Sequence, residues 1–557
     1  MSINNQKPCL VQTGQGFSVK YNERLLYSRY NPAKNILLSI QGKEFLAGTL
    51  VLAISPCLGY GIKELLQKLG PDCYVLGIEK DANLIEFTLQ QEEIKECLKD
   101  PRFSFLKDFE IEELPLCVNQ GKVTSSGYKK MHFKRCIRID FSGAASFNAA
   151  FYEQIFECTS QAIAQFWKNR ITLVKFGKKY SKNLFKNLRY SNSDRNLLQL
   201  YKTQTKSILV LGAGEGLDQV LDAFKNGKAK SENFYIIAVD AALACLSKCN
   251  IKADLVVLEE SQWIIKRLFI GNSIKANKAA VSLSSSFAAV KNVTEDVFFY
   301  TTLFSNAEFL GVLSDMLLLP ASIPPLGSVG LTAVEIALRL RQNEGISVYV
   351  AGLDFSYSLG RTHSRYAKQS ENPFLLGNRL TGSENCGSAF AFGCTKTLSK
   401  DKNIVYTSTN LSGYAQLFRK YFFNTANLFD CSTTGLPLNL PYKPLSERDE
   451  GVFNRAESST ENFILKAQNT DELTKKKIDF FKNELTELEK IQEILTTGQN
   501  MDETERNNML RQLLSKRDYL YHHFPDGYEL RIEADFLKRV KAEIICFKKL
   551  FSQLIEN

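Results

Sequence analysis

The stretch ILVLGAGEGLD at residues 208–218 places a short apolar run directly before a glycine-rich turn and the start of a helical pattern. Such a run predicts a buried strand of a parallel sheet. Gly212, Gly214 and Gly216 let the backbone turn sharply and leave the first amides of the helix open to an anion. Because Leu217 stands where the dinucleotide-binding fingerprint has its last glycine, a tight turn without a ligand remains the alternative.

A second glycine turn, PLGSVGLTA at residues 325–333, opens a strongly patterned helix. Gly327 and Ser328 stand at its start, and Ser328 is either a plain N-cap or a cap that also donates to an oxyanion. Together the two turns predict the anion-binding edge of an α/β sheet.

Apolar runs alternate with helical patterns through the same region, which predicts an α/β fold with a doubly wound, mostly parallel sheet. The predicted strands are 207–211, 234–239, 254–258, 279–283, 297–301 and 347–353.

At 557 residues the chain exceeds one ordinary hydrophobic core, so we expect several domains. Near the N-terminus a strand, a glycine turn and a second strand ending in Glu79 have the order found in nucleoside-binding sheets, although a structural role fits the pattern equally well. Toward the C-terminus three amphipathic helices would pack on the core or bind a partner. The predicted domains are a Rossmann-like N-terminal domain at 1–165, a basic helical linker at 166–200, a central α/β domain at 201–440 and a helical bundle at 441–557.

The formal net charge is +10, and residues 168–190 contain basic side chains with interleaved aromatic residues and no acid. This segment fits a nucleic-acid surface, a face that attracts an anionic substrate, or the solvated face of an amphipathic helix, and we favour the last. The 13 cysteines include no CxxC pair, and no apolar run approaches the roughly 18 residues of a membrane span. We therefore expect a cytoplasmic protein without nucleic acid, disulfides, structural zinc or a membrane span.

Several acids flank the predicted strands. Asp240 ends the second strand, where a dinucleotide fold would hold a ribose hydroxyl. Asp254 precedes the next strand and Glu259 follows it, and these two bind sugar hydroxyls or a metal, or are simply solvated. Glu215 stands where the helix start would receive a phosphate, which a carboxylate repels unless a cation intervenes.

The loop DFSYSLGRTH at residues 354–363 follows the last predicted strand of the sheet. His363 is the one histidine of four in a loop at the carboxyl end of a central strand, where open α/β sheets bind ligands. A neutral imidazole there accepts a proton near pH 7. The alternative is a structural histidine bonded to the Asp354 loop.

The order of these motifs resembles the motility-associated factor (Maf) family of flagellin glycosyltransferases, whose core domain is related to the bacterial sialyltransferase fold. The resemblance covers roughly residues 20–435, and it includes the opening LYSRYNP at residues 26–32. Two positions depart from the family pattern: Glu215-Gly216 replaces Pro-Ser, and Glu259 replaces the usual Asp. The matching residues are Gly212-Ala213-Gly214, Leu217-Asp218, Asp240, Asp254, Gly327-Ser328-Val329, Gly352-Leu353-Asp354, Tyr357, Gly360 and Thr362-His363.

The resemblance implies transfer of a nonulosonic acid, such as pseudaminic or legionaminic acid, from a CMP-sugar to a Ser or Thr hydroxyl of flagellin in the cytoplasm. His363 would be the base, with Asp354 orienting the site, and Arg361 or Arg365 would bind the sugar carboxylate. No cofactor or divalent metal is expected, because backbone dipoles and cations would hold the single phosphate. The substrate-binding residues would be Gly212, Gly214, Gly216, Asp240, Asp254, Glu259, Gly327, Ser328, Tyr357, Arg361 and Thr362.

Three alternatives stay open. A pterin pyrophosphokinase-like enzyme would use Asp240, Asp254 and Glu259 as metal ligands. A non-catalytic, flagellin-binding member of the family would have lost donor binding through Glu215. A nicotinamide-dependent oxidoreductase ranks last, because the wider motif pattern accounts for the glycine turn without NAD.

Overall fold

The computed structural model describes residues 7–106, 132–265, 276–286, 296–304, 307–371, 386–446, 470–497 and 501–556, with the single residues 114, 118, 294 and 378. The chain divides into two compact units, Met1–Thr172 and Leu173–Asn557. The predicted fold class is confirmed: both units contain a parallel sheet, and helices follow at the C-terminus. None of the helices in the described ranges combines the length and the apolar character that a membrane span needs.

The first unit has a four-stranded parallel sheet in the order β6-β5-β4-β7 and a separate antiparallel sheet, β1-β2-β3. Every residue of β4 and β5 is buried, as expected for strands covered on both faces. The elements are β1 Cys9–Thr13, β2 Gly16–Tyr21, β3 Arg24–Leu25, α1 Lys34–Gln41, β4 Thr49–Ile54, α2 Ile62–Lys68, β5 Tyr74–Ile78, α3 Ala82–Gln90, α4 Glu92–Cys97, β6 Phe103–Leu106, β7 Arg135–Asp140 and α5 Ala149–Tyr190.

Glu79, the acid after β5, is engaged by its own unit. The Tyr152 hydroxyl donates to Glu79 Oε1 at 2.6 Å, and the amides of Lys80 and Asp81 donate to the same oxygen at 2.8 and 3.0 Å. The side chain is buried. These contacts support the structural role of Glu79, which the sequence left open as one of two alternatives.

The second unit has an eight-stranded sheet within the described residues, in the order β13-β12-β11-β10-β9-β8-β14-β17 with every neighbouring pair parallel. All six predicted strands are present, and β13 and β17 were not predicted. The elements are β8 Ile208–Leu211, α6 Gly216–Lys225, β9 Tyr235–Val239, α7 Leu243–Lys248, β10 Leu255–Leu258, β11 Lys278–Ser282, β12 Val297–Thr302, α8 Glu308–Asp315, β13 Ser322–Ile323, α9 Val329–Leu340, β14 Val348–Ala351, β15 Cys394–Leu398, β16 Ile404–Ser408, α10 Thr409–Tyr421 and β17 Leu428–Asp430.

The C-terminal helices pack on this core. Three of them are described: α11 Thr470–Thr497, α12 Glu503–Ser515 and α13 Ala534–Glu556. Phe185, on the part of α5 that belongs to the second unit, lies 5.0 Å from Phe551 of α13 and 6.4 Å from Phe481 of α11, between ring centroids. Burial of such rings is a large apolar contribution to stability, which explains why these helices stay on the sheet unit.

The basic segment also contacts the C-terminal helices. Lys178 forms an ion pair with Glu543 of α13 at 2.6 Å, and Arg189 Nε donates to the carbonyl of Leu554 at 3.0 Å. Part of the basic surface of α5 is therefore used within the protein.

Candidate functional site

The strand order of the large sheet fixes where a crevice forms. From β8 the chain adds β9 to β13 on one side, and then returns to place β14 and β17 on the other side of β8. Connections that leave neighbouring strands in opposite directions open a crevice at their carboxyl ends, where open α/β sheets bind ligands. This rule predicts the crevice at the carboxyl ends of β8 and β14, beside the turns that follow these strands.

The glycines of the first turn are required by close packing of the two turns. A Cβ atom on Gly212 would lie 2.2 Å from the carbonyl oxygen of Gly352, and one on Gly214 would lie 2.5 Å from Oδ2 of Asp354. Neither position accommodates a larger residue without moving the backbone. These contacts account for both glycines without a ligand.

Asp354 takes the position that the sequence assigned to an external anion. Its Oδ2 accepts a hydrogen bond of 2.7 Å from the amide of Gly216, the first residue of α6. The turn therefore does not form an open phosphate site, because the Asp354 carboxylate already accepts the hydrogen bond of the Gly216 amide. The sequence did not reveal this partner because the two residues are 138 positions apart.

Burial governs the protonation of Asp354. The side chain is almost fully buried, and its Oδ1 has no hydrogen-bond partner within the described residues. Burial raises the pKa of this carboxyl to about 6, against the opposing effects of the Gly216 amide and the nearby Lys400 ammonium. Lys400 itself forms a 2.6 Å ion pair with Asp430 at the end of β17.

The Glu215 carboxylate binds the loop that follows β14. Its Oε1 accepts from the amide of Ser358 at 2.6 Å, and its Oε2 accepts from the Ser358 hydroxyl at 2.7 Å. Nη2 of Arg361 lies 2.9 Å from the same Oε2. The Arg361 guanidinium compensates the negative charge of Glu215. With this cation in contact, the Glu215 carboxylate repels a phosphate less.

Asp218 holds the same loop from the next turn of α6. Its Oδ1 accepts from the Ser364 hydroxyl at 2.6 Å, and Nη1 of Arg361 lies 3.3 Å from its Oδ2. Arg365 donates its amide to Asp218 and its guanidinium to Asp222. Both arginines that were expected to bind a substrate carboxylate are thus already paired with carboxylates of α6.

His363 lies in this loop, between Arg361 and Ser364. Its Nδ1 is 2.9 Å from the Thr362 hydroxyl, and no hydrogen bond joins it to Asp354 within the described residues. The expected orienting contact is therefore replaced by one to Thr362. Burial lowers the pKa of His363, so the imidazole is neutral at pH 7.

Tyr357, at the start of the loop, has a structural contact. Its hydroxyl donates to the carbonyl oxygen of Ser388 at 2.7 Å. Its backbone exchanges two 2.9 Å hydrogen bonds with Tyr406 of β16. Burial raises the pKa of Tyr357 to about 12, so the phenol remains protonated.

Two acids lie together at the carboxyl ends of β9 and β10. Asp240 is buried, and the one hydrogen bond to its carboxylate within the described residues comes from the amide of Ala241 at 2.7 Å. Burial raises its pKa to about 7, with a further contribution from the charges of Glu259 and Glu260. Burial likewise raises the pKa of Glu259, and the Thr302 hydroxyl donates to its Oε1 at 3.3 Å.

Asp254 lies at the opposite edge of the sheet. Its Oδ2 accepts from the amide of Ile236 at 2.8 Å, near the start of β9, whereas Asp240 follows the end of that strand. Four residues of extended chain separate Ile236 from Asp240 by about 13 Å. Asp254 therefore does not lie beside Asp240 and Glu259. Its position before β10, at the other end of the strand from Glu259, already indicates this separation.

Ser328 is a helix cap, as the sequence predicted. Its hydroxyl accepts from the amide of Gly330 at 3.3 Å, in the first turn of α9. Gly327 adopts a positive φ of 73°, and a Cβ atom there would lie 3.1 Å from the ring of Tyr414.

Two tyrosines at this end of the sheet were not predicted. Tyr414 of α10 lies beside Gly327. Tyr180 of α5 lies near Glu260 and Glu259, whose charges contribute to raising its pKa to about 12 after the larger effect of burial. Both lie on helices outside the strand-to-helix turns, so the turn motifs carried no signal for them.

Comparison with known proteins gives three findings. Residues 178–360 match the family model described as 6-hydroxymethylpterin diphosphokinase MptE-like. A protein of Treponema pallidum (strain Nichols), described as uncharacterized, is 28% identical over 566 residues, which cover 98% of this chain and 95% of that protein. The structure of a Maf glycosyltransferase from Magnetospirillum magneticum AMB-1 matches with a TM-score of 0.50 at 14% identity, over 99% of this chain and 92% of that chain.

Proposed function

We propose that the chain is a glycosyltransferase that moves a nonulosonic acid from a CMP-sugar to a Ser or Thr hydroxyl of flagellin. It has the fold of a Maf glycosyltransferase along its whole length, and residues 178–360 match the MptE-like model, so the predicted resemblance is confirmed at the level of the fold. The observation that carries the proposal is the full-length fold likeness. The neutral, half-buried imidazole of His363 beside the crevice supplies a base for this reaction.

In the proposed reaction the acceptor oxygen forms a bond to the anomeric carbon of the sugar, while the bond from that carbon to the CMP phosphate oxygen breaks. CMP leaves with the bonding electrons. With Nδ1–H of His363 donating to Thr362, Nε2 has the lone pair that takes the proton of the acceptor hydroxyl. The Thr362 hydroxyl can accept from Nδ1–H or donate to Nδ1, and the proposed reaction requires the first of these arrangements.

The donor occupies the β9 and β10 side of the crevice rather than the first glycine turn, because Asp354 already holds the Gly216 amide. Asp240 and Glu259 bind hydroxyl groups of the ribose or the sugar. The start of α9, with the cap Ser328, faces the phosphate and stabilises the charge that develops on it. This arrangement requires no cofactor or divalent metal, which remains a prediction.

Binding of CMP tests the donor half of the proposal. We expect calorimetric titration to give binding of CMP and none of UMP, GMP or NADH. Asp240→Asn should weaken CMP binding, since an amide cannot accept two ribose hydroxyl protons in the same way. Asp254→Asn is the matched control, because Asp254 lies at the other edge of the sheet. Equal loss of affinity in both variants, or no CMP binding by the wild-type protein, would contradict the proposed site.

A pterin pyrophosphokinase is the second candidate, and the MptE-like match of residues 178–360 favours it. The three acids that would hold its metal do not converge, since Asp254 contacts the start of β9 while Asp240 follows its end. Incubation with hydroxymethylpterin, ATP and magnesium tests this candidate. Formation of the pterin diphosphate would establish it and displace the glycosyltransferase.

The non-catalytic alternative rested on repulsion of the donor by Glu215. The ion pair of Glu215 with Arg361 weakens that argument, because the charge is compensated. Capture of flagellin by the protein without any sugar transfer, in the presence of the CMP-sugar, would support the non-catalytic function.

A further inference from the structure

The loop at residues 358–365 is bound to the start of α6 at both of its ends and at Arg361. Glu215 binds the loop at Ser358 and Arg361, through contacts of 2.6 to 2.9 Å. Asp218 binds it at Ser364 and Arg365, with the shortest contact at 2.6 Å. We call this set of contacts, from Glu215 and Asp218 to the loop, the loop clamp.

The main chain takes part in the loop clamp as well. The amide of Ser364 donates to the carbonyl oxygen of Ala213 at 2.8 Å, in the glycine turn itself. His363 is therefore fixed from both sides: its following residue is bound to the turn and to Asp218, and Arg361 precedes it by two positions. An imidazole on such a loop is held in place before any substrate arrives.

The charges of the clamp argue against a substrate-binding role for its arginines. Arg361 contacts Glu215 at 2.9 Å and Asp218 at 3.3 Å, so it faces two carboxylates. Two carboxylates already offset its charge, which weakens its attraction for a substrate carboxylate or phosphate. Glu215 and Asp218 are buried to about nine tenths, whereas 41% of the Arg361 side chain is exposed, so water screens these ion pairs from the arginine side.

We propose that Glu215 and Asp218 are positioning residues, which hold the His363 loop in its productive place through the loop clamp. The inference rests on the proposed function in one respect only, that His363 is the base. It gives Glu215 a role opposite to the one suggested by its sequence position: the carboxylate supports the reaction and does not hinder donor binding.

The test uses the full-length protein with Glu215→Ala, and Asp222→Ala as the matched control. Asp222 pairs with the Arg365 guanidinium on the more exposed side of α6, and within the described residues its carboxylate accepts no hydrogen bond from the loop backbone. In Glu215→Ala we expect kcat to fall by about 10- to 100-fold, the cost of a slightly misplaced catalytic group. The affinity for CMP should stay within about twofold in both variants, and kcat should be kept in the control.

Hydrogen exchange provides a readout that does not depend on activity. The amide of Ser358 is protected by Glu215, so Glu215→Ala should speed exchange at residues 358–365 and leave the amides of β14 unchanged. If Glu215→Ala fails to fold, Arg361→Gln takes its place, because it removes the ion pairs with Glu215 and Asp218 from the loop side and should speed exchange at residues 361–365.

Two results would overturn the inference. One is a Glu215→Ala protein that binds CMP more tightly and transfers sugar at the wild-type rate, as expected if Glu215 only repels the donor. The other is unchanged exchange at residues 358–365. A wild-type protein without transfer activity would reject the proposed function, while the exchange experiment would still decide whether the clamp exists.

Discussion

Asp240 offers a quantitative test, because the fold buries a carboxyl that it hardly stabilises. One hydrogen bond, from the Ala241 amide, compensates it within the described residues. Replacement by Asn keeps an oxygen for that amide and removes the charge. The folded-state pKa of about 7, against 3.8 for an unperturbed Asp, corresponds to an upper limit of about 4 kcal/mol of stability lost when the group is ionised, at about 1.4 kcal/mol for each pKa unit.

The sign of the effect follows from linkage. A carboxyl whose pKa is raised by folding contributes its full stability below the unfolded pKa of 3.8, and that stability is lost as the pH rises through the folded pKa of about 7. We therefore expect Asp240→Asn and the wild-type protein to have the same free energy of unfolding near pH 3.8. Above a pH of about 7 the variant should be more stable, by up to about 4 kcal/mol.

Urea denaturation of both proteins at a series of pH values measures this difference. A residue kept in spite of such a cost is expected at a binding site, so the same variant should lose CMP affinity. The reasoning is refuted if the difference in unfolding free energy between the two proteins does not change with pH, or if Asp240→Asn is the less stable protein at high pH.

Two further predictions concern the turn and the base. Gly212→Ala should destabilise the protein by about 3 kcal/mol or more, because its Cβ would lie 2.2 Å from the Gly352 carbonyl oxygen. Gly311→Ala, with nothing within 4 Å of the added Cβ, should be neutral or stabilising in the same denaturation assay, and equal effects would contradict the packing argument. His363→Ala should reduce transfer by about 10²- to 10⁴-fold while CMP still binds in calorimetry, and transfer at the wild-type rate would remove the assignment. With the CMP-sugar saturating, so that protonation of Asp240 at its pKa of about 7 does not limit the rate, kcat should fall on the acid side only below the usual histidine value of 6.5, since burial lowers the pKa of His363. An acid limb of kcat above that value would contradict this.

Local patterns determine most of the large sheet. The six predicted strands are mostly apolar runs, as expected for strands covered on both faces. β13 and β17 contain two and three residues, which is too short for a periodic signal. The amphipathic pattern of the C-terminal helices left two functions open, and the contacts of Phe481 and Phe551 with Phe185 show that their apolar faces are used internally.

The chemistry of the crevice depended on contacts that are distant in sequence. Glycines at residues 212–216 fit an open anion site and a tightly packed turn equally well. The hydrogen bond from the Gly216 amide to Asp354, 138 positions away, favours the packed turn. The charge of Glu215 is compensated by Arg361, which lies 146 positions away in the sequence. Asp254 is different, because its place before a strand already assigns it to the amino edge of the sheet.

Transfer itself is the most direct test of the account. The protein is incubated with a CMP-linked nonulosonic acid and purified flagellin, and the intact mass of flagellin is followed together with the release of CMP. We expect a mass increase of one sugar for each CMP released, and His363→Ala should slow this transfer by about 10²- to 10⁴-fold. Unmodified flagellin together with an intact donor, in the presence of correctly folded wild-type protein, would contradict it.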